Sequence, residues 1–266
     1  MTDNHSDAIS KYTQQNRRAW NEIAGVREKT FPQAGFFADG GTTLDGRALE
    51  TVKQIFGQVA GLSVLHLQCA TGEDTLSWAV LGAQATGVDI SDEQIELARQ
   101  KAAAANLTVD FYAADIYDLP DELHRASFDV VFTGGGALVW LPDLSRWASM
   151  VATCLKPGGR LILLEEHPLA SCLWVEGGRL VLEEDYFSRG RAYEVSGWYH
   201  FKGGESAKET KYEFVWPLGD VVTAVAQAGL VIERLEEFAG GPDWRFGSQQ
   251  DTMLRLPGEF LLTARK

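Results

Sequence analysis

The residues best able to do chemistry lie in VLHLQCATGEDTLSWA, residues 64–79. An apolar run ends at Gln68 and a helical pattern begins near Glu73, so Cys69, Ala70, Thr71 and Gly72 form a tight turn whose small side chains let a ligand approach the backbone. Seventeen residues past Gly72, at the end of the next apolar run, stands Asp89, where a carboxylate can accept hydrogen bonds from both hydroxyls of a ribose. A third run ends in Asp115, suited to an adenine amino group, and a fourth ends at Thr133-Gly134-Gly135. Ligands of open parallel sheets sit beyond the carboxyl ends of the strands, so these four ends together describe a nucleoside site. Each acid has a structural role in competition: Asp89 also suits the cap of the following helix, and Asp115 the start of a turn.

A general base is sought on the same rim. His167, in EEHP at the end of a fifth apolar run, is the first candidate, since an imidazole of ordinary pKa near about 6.5 suits proton removal at neutral pH. Before Pro168 it can equally serve as a hydrogen-bonding turn residue. His200 is the second candidate, although strand alternation points it toward solvent. His66 reads as a satisfied core histidine, and Glu165 and Glu166 as the end of a strand.

The elements that must hold these residues follow from periodicity. Ile9, Tyr12, Asn16, Trp20 and Ile23 mark one helical stripe, and Leu49, Val52, Phe56 and Val59 another, with FPQAGFFADGG as a loop between them. From Leu62 to Lys156 apolar runs alternate with helices, the pattern of βαβ units and of buried parallel strands. Ser91 and Gln94 make a capping box, Asn106 closes that helix, and Lys156-Pro157-Gly158-Gly159 ends a later one before the strand RLILLEE. Residues 167–216 break the alternation. Ten of the 45 residues from Cys172 to Trp216 are aromatic, about double the chain's 11%, which marks a β-rich insertion with Tyr193, Val195, Tyr199 and Phe201 on one strand, Tyr212, Phe214 and Trp216 on another, and KGGESAKE as the turn. The helix PLGDVVTAVAQAGL, the strand VIERLEEF and a last strand in GEFLLTARK complete the chain.

The expected fold is therefore α/β, a doubly wound, mostly parallel seven-stranded sheet with an antiparallel last strand. Its expected parts are a helical cap over 1–60, a core over 61–166 and 217–266, and the aromatic insertion over 167–216, which either covers a substrate or meets a second copy of the chain in a homodimer. The 266 residues suit one domain with decorations. A formal charge of -13 argues against nucleic acid as a partner. Three cysteines without metal-ligand or disulfide spacing point to a reducing compartment and to no metal site. With a polar start and no long apolar run, the expectation is a cytoplasmic protein with no membrane partner.

On LHLQCATGEDT, TGVDIS, FDVVFT, WLPDLSRWA and KPGGR, nearly the whole chain resembles the class I S-adenosylmethionine-dependent methyltransferases, and within them a bacterial subgroup carrying LHLQC-x-x-G-x-DT. The resemblance implies S-adenosyl-L-methionine as cofactor. It implies Gln68, Cys69, Ala70, Thr71, Gly72 and Thr75 around the methionine part, Asp89 with Ile90 at the ribose, Asp115 with Ile116 at adenine, and Thr133 with Gly134 on the fourth strand. It also implies a small-molecule methyl acceptor and an N-terminal helix that brings Tyr12 and Trp20 over the cofactor. Three positions depart from the broad family: His66 replaces an acid, and Gln68 and Ala70 replace glycines. Ala70 carries a Cβ where the backbone must approach the ligand, and a left-handed conformation there would disfavour it. The alternatives are a nicotinamide-dependent oxidoreductase, against which QCATGED lacks the third glycine of G-x-G-x-x-G, and a non-catalytic nucleoside-binding module.

Overall fold

The computed structural model describes residues 2–125 and 127–266, with side chains from Asp7 onward. The first stripe forms α1 (Thr2–Glu28), followed by α2 (Ala34–Ala38) and α3 (Gly46–Phe56). The segment read as a loop thus contains one short helix. The reason is Phe37, which is buried with Leu76, Ile95 and Phe111 in a cluster beside the sheet. The Asp45 side chain caps α3 by accepting the Arg47 N–H.

The alternating region gives β1 (Ser63–Leu67), α4 (Glu73–Val80), β2 (Gln84–Asp89), α5 (Asp92–Ala104), β3 (Asp110–Ala113), β4 (Phe128–Gly134), α6 (Leu144–Cys154) and β5 (Leu155–Glu166). Then come α7 (Pro168–Ser171), β6 (Leu173–Glu176), β7 (Arg179–Leu182), β8 (Ala192–Ser196), β9 (Thr210–Phe214), α8 (Leu218–Gln227), β10 (Val231–Ala239), α9 (Asp243–Phe246), α10 (Gln250–Met253) and β11 (Pro257–Arg265). One seven-stranded sheet has the order β10-β11-β5-β4-β1-β2-β3. The pairs among β1 to β5 are parallel, whereas β11 runs antiparallel to both its neighbours, β5 and β10. The sheet is the doubly wound, mostly parallel α/β architecture expected, with the last strand reversed. Its central strands are apolar on both faces because one cluster (Leu65, Val131, Trp147, Leu163) fills one side and another (Val52, Trp78, Val130, Ile162) the other.

The helix stops also follow the sequence. Asn106 has φ 55° just after α5 and Gly229 has φ 83° just after α8, both left-handed terminators. Between α7 and α8 lie two hairpins, β6-β7 and β8-β9. The first aromatic strand is shorter than the alternation predicts and ends at Ser196, because Gly197 turns the backbone to φ 78°. Residues 197–209, with Trp198, Tyr199, His200 and Phe201, then form irregular backbone ahead of β9.

Candidate active site

The turn after β1 is built from unusual backbone. Gln68, Ala70 and Gly72 all have positive φ, at 58°, 49° and 83°. Only Gly72 takes this region without strain, and it is also required sterically: a Cβ there would lie 2.9 Å from Phe111. The left-handed position that disfavours an alanine is therefore occupied by one. What holds it is Asp89, whose Oδ2 accepts the Ala70 N–H at 2.8 Å, while Oδ1 accepts the Ser91 N–H at 2.9 Å. The carboxylate serves two masters, fastening the β1 turn and starting α5. Burial raises its pKa, against the pull of these N–H groups. A carboxylate offers about four lone-pair sites, so Asp89 keeps acceptor capacity toward the cavity.

This turn opens on a cavity of about 430 Å³, in the range of small-molecule sites. Its floor is the carboxyl rim of the sheet, and it brings together Gln68, Cys69, Ala70, Asp89, Ile90, Asp115, Ile116 and Gly134. Four other residues expected there do not line it. Thr71, Gly72 and Thr75 lie behind the turn, where the Thr71 hydroxyl donates to Glu73 at 2.6 Å and the Thr75 hydroxyl meets His66 Nδ1 at 2.9 Å. Thr133 is fully buried, with its hydroxyl 3.5 Å from Gln68. The Gln68 amide in turn donates to the Ala137 carbonyl at 2.8 Å, tying the first turn to the loop after β4. Asp115 accepts the Tyr117 N–H at 3.0 Å, so it does begin a turn as well as face the cavity. His66 is the satisfied core histidine expected, and burial pushes its pKa down to about 3.

Several groups in or beside the cavity had no such role in the sequence reading. Arg27, near the end of α1, reaches the cavity and pairs with Glu73 at 2.9 Å, stacking its guanidinium 4.0 Å over the Phe31 ring. Buried Lys101 bonds the same Glu73 and also Glu28 at 2.8 Å. These two cations, against the cost of burial, hold the Glu73 pKa down to about 2. Gln94 donates its N–H to Ser91, as a capping box requires, but its side chain does not return the bond. Both polar atoms of that buried amide are unpartnered on the cavity wall, and the polar edge of a ligand would satisfy them. Glu165, read as a strand end, accepts the N–H groups of Gly136, Ala137, Leu138 and Glu166 at 2.6, 2.8, 3.2 and 2.9 Å. It thus shapes the loop after β4, and burial pushes its pKa up to about 7 despite those amides.

The roof of the cavity comes from α1 and the insertion. Asn16 bonds both the N–H and the carbonyl of Tyr212, at 2.7 and 2.9 Å, and Glu22 accepts the N–H groups of Lys208 and Glu209. Trp20 packs edge-on against Trp140 at 5.1 Å and at a tilt of 53° against Trp198 at 4.3 Å. Trp20, Trp140, Phe201 and His200 all line the cavity. Tyr12 instead packs on Tyr212 and Phe214 behind it. His167, the first candidate base, stands outside the cavity: its Nδ1 caps α7 by accepting the Leu169 N–H, and its Nε2 lies 3.0 Å from Glu237 of β10. The turn at Pro168, which the sequence offered as its competing role, has taken Nδ1, and Nε2 faces Glu237 rather than the cavity. Two histidines line the cavity, His66 on the floor and His200 on the roof, and for His200 burial first and then the charges of Lys211, Arg245 and Arg27 push the pKa down to about 4.

This sheet, with its reversed last strand, is the fold of the class I S-adenosylmethionine-dependent methyltransferases. A family described as "Methyltransferase domain" matches residues 64–159. Over 126 residues the chain is 35% identical to a ubiquinone biosynthesis O-methyltransferase of Xanthomonas euvesicatoria pv. vesicatoria, covering 47% of this chain and 52% of that protein. A demethylmenaquinone methyltransferase of Lactococcus lactis is 36% identical over 124 residues, 45% and 48% of the two chains. The chain thus spans about half the length of the curated relatives it matches. A crystal structure of an S-adenosylmethionine-dependent methyltransferase from Mesorhizobium loti covers 84% of this chain and 99% of its own at a TM-score of 0.61 and 26% identity.

Proposed function

We propose that the chain transfers a methyl group from S-adenosylmethionine to a small-molecule acceptor. One observation carries the reading: a single cavity receives the strained turn after β1, the ribose-type acid after β2 and the acid after β3. These residues fit an adenosyl sulfonium. Asp89 would take the ribose, Asp115 with Ile116 the adenine, and the Gln68–Ala70 backbone with Arg27 the amino-acid end. When bound, the cofactor supplies an electrophilic methyl on a positively charged sulfur. The protein's own task is to align the acceptor, exclude water and accept a proton where the acceptor carries one. The aromatic roof suits both a sulfonium and a flat acceptor, and the O-methyltransferase named among the relatives supports oxygen as the atom methylated. We assign the chain to the subgroup marked by LHLQC-x-x-G-x-DT, acting in a reducing cytoplasmic setting without nucleic acid.

Calorimetry tests this. S-adenosylmethionine should bind and NAD should not, and Asp89→Ala should weaken S-adenosylmethionine by roughly 1 to 3 kcal/mol, the cost of leaving buried hydrogen-bonding groups unpaired. Tight NAD binding with no heat from S-adenosylmethionine would end the reading.

A further inference from the structure

We propose that His200, presented by the insertion, takes the proton from the acceptor, and that the acceptor is a flat ring bearing a hydroxyl group. This rests on the methyl-transfer reading above.

The argument is from geometry inside the cavity: among the described residues, most of the titratable lining groups already hold a protein partner. Asp89 is held by two backbone amides, Asp74 accepts the Thr43 hydroxyl at 2.6 Å, Glu73 is paired with Arg27 and Lys101, and Asp115 accepts the Tyr117 N–H. His66 Nδ1 meets Thr75, and the Tyr117 hydroxyl donates to the Asp143 carbonyl at 2.9 Å. On the roof, both polar atoms of the Asn16 amide are committed to Tyr212. His200 is different: its ring meets only other rings, Phe201 at 4.0 Å, Trp244 at 5.3 Å and Trp198 at 5.8 Å, and no hydrogen bond occupies either nitrogen. Its lone pair is available, and its exposed side gives an accepted proton a path to solvent.

Burial first, and then the cations around it, disfavour the protonated form of the His200 ring. Lys211 of β9, Arg245 of α9 and Arg27 of α1 all raise the potential at the ring, while Glu213 pairs with Lys211 at 3.3 Å and Glu166 with Arg245 at 3.5 Å. A neutral imidazole can accept a proton at physiological pH, where an imidazolium cannot.

The walls select the acceptor. Trp20, Trp140 and Phe201 present aromatic surface on which a flat ring can pack. In the step, a lone pair of the hydroxyl oxygen forms the bond to the methyl carbon while the carbon–sulfur bond breaks and its pair goes to sulfur, leaving a neutral thioether. The hydroxyl proton passes to a ring nitrogen of His200 and then to water. A weak base suffices because the O–H becomes strongly acidic as oxygen bonds to the methyl.

The full chain, catechol as acceptor probe, cyclohexanol as the non-aromatic control and His200→Gln provide the test. S-adenosylhomocysteine binding, read by calorimetry, should be the same within about twofold in wild type and variant, which also establishes that the variant is folded. Catechol should bind the complex with S-adenosylhomocysteine, and cyclohexanol should not. With S-adenosylmethionine, His200→Gln should lower kcat for catechol by 100-fold or more, in keeping with general-base effects of about 10² to 10⁴, with KM changed less than about fivefold. Wild type should lose kcat as pH falls below about 5, and the variant should lack that limb. Catechol that neither binds nor is methylated by a protein that does bind S-adenosylmethionine overturns the acceptor class. A His200→Gln kcat equal to wild type overturns the base. Failure to bind S-adenosylmethionine at all fails the underlying reading instead.

Discussion

Ala70 condenses the balance between stability and function into one residue. An L-residue in the left-handed region costs about 1 to 2 kcal/mol, and here the cost is borne at the point where the backbone meets the cavity. Asp89 holds the conformation through the Ala70 N–H, so the strain persists only while that carboxylate is fixed by Ser91 on its other side. Glycine would remove the strain but also loosen the unfolded chain, an opposing effect of about 0.4 to 1 kcal/mol. The net expectation for Ala70→Gly is a gain of roughly 0.5 to 1 kcal/mol in urea denaturation, with S-adenosylhomocysteine affinity no weaker than wild type. A loss of stability on this substitution would mean that the turn does not dwell in the left-handed region in solution.

At the scale of elements, the loop after β4 depends on β5 through a single side chain. Four backbone N–H groups converge on Glu165, yet burial outweighs them and leaves the carboxyl titrating near about 7 in place of its ordinary 4.5. A folded-state pKa raised in this way contributes stability that is fully present below the ordinary value and is lost as pH rises through about 7. Relative to Glu165→Gln, which does not titrate, wild type should therefore lose roughly 2 to 3 kcal/mol between pH 5 and pH 8 in a urea series, at about 1.4 kcal/mol per pH unit. Parallel curves for the two proteins would show that the amides keep the carboxylate charged throughout. This fastening explains what the sequence could and could not convey. The sheet was legible because apolar runs, Asn106, Gly229 and the glycines after β4 are local signals read along one strand or helix end. The acids of the floor were legible for the same reason, each closing a strand. Glu165, Arg27 and the side chain of Gln94 were not, because their roles arise across elements distant in the chain, and His200 stood only second among the candidate bases. Nothing local separates His200, which faces the cavity, from His167, whose nitrogens are consumed by Leu169 and Glu237.

For the molecule as a whole, the decisive feature is that the roof is not part of the sheet. It is α1 joined to the insertion, and the joint resembles a strand partner: Asn16 takes the N–H and the carbonyl of Tyr212 on the edge of β9 that β8 leaves open. The Trp20, Trp140 and Trp198 rings sit at the seam where α1, the loop after β4 and the insertion meet. If the joint orders the roof, Asn16→Ala should cost about 1 to 3 kcal/mol by leaving two backbone groups unpaired. The loss should fall mainly on the roof, because the cluster around Trp198 is separate from the sheet's clusters, which α1 joins only through Ile9. Amide exchange should then quicken across α1 and β9 while β1, β4 and β5 stay protected, and S-adenosylhomocysteine should bind more weakly and restore part of the protection as it fills the cavity beneath. Uniform quickening over roof and sheet alike would show instead that α1 is integral to the core, and that a ligand reaches the cavity only through global opening.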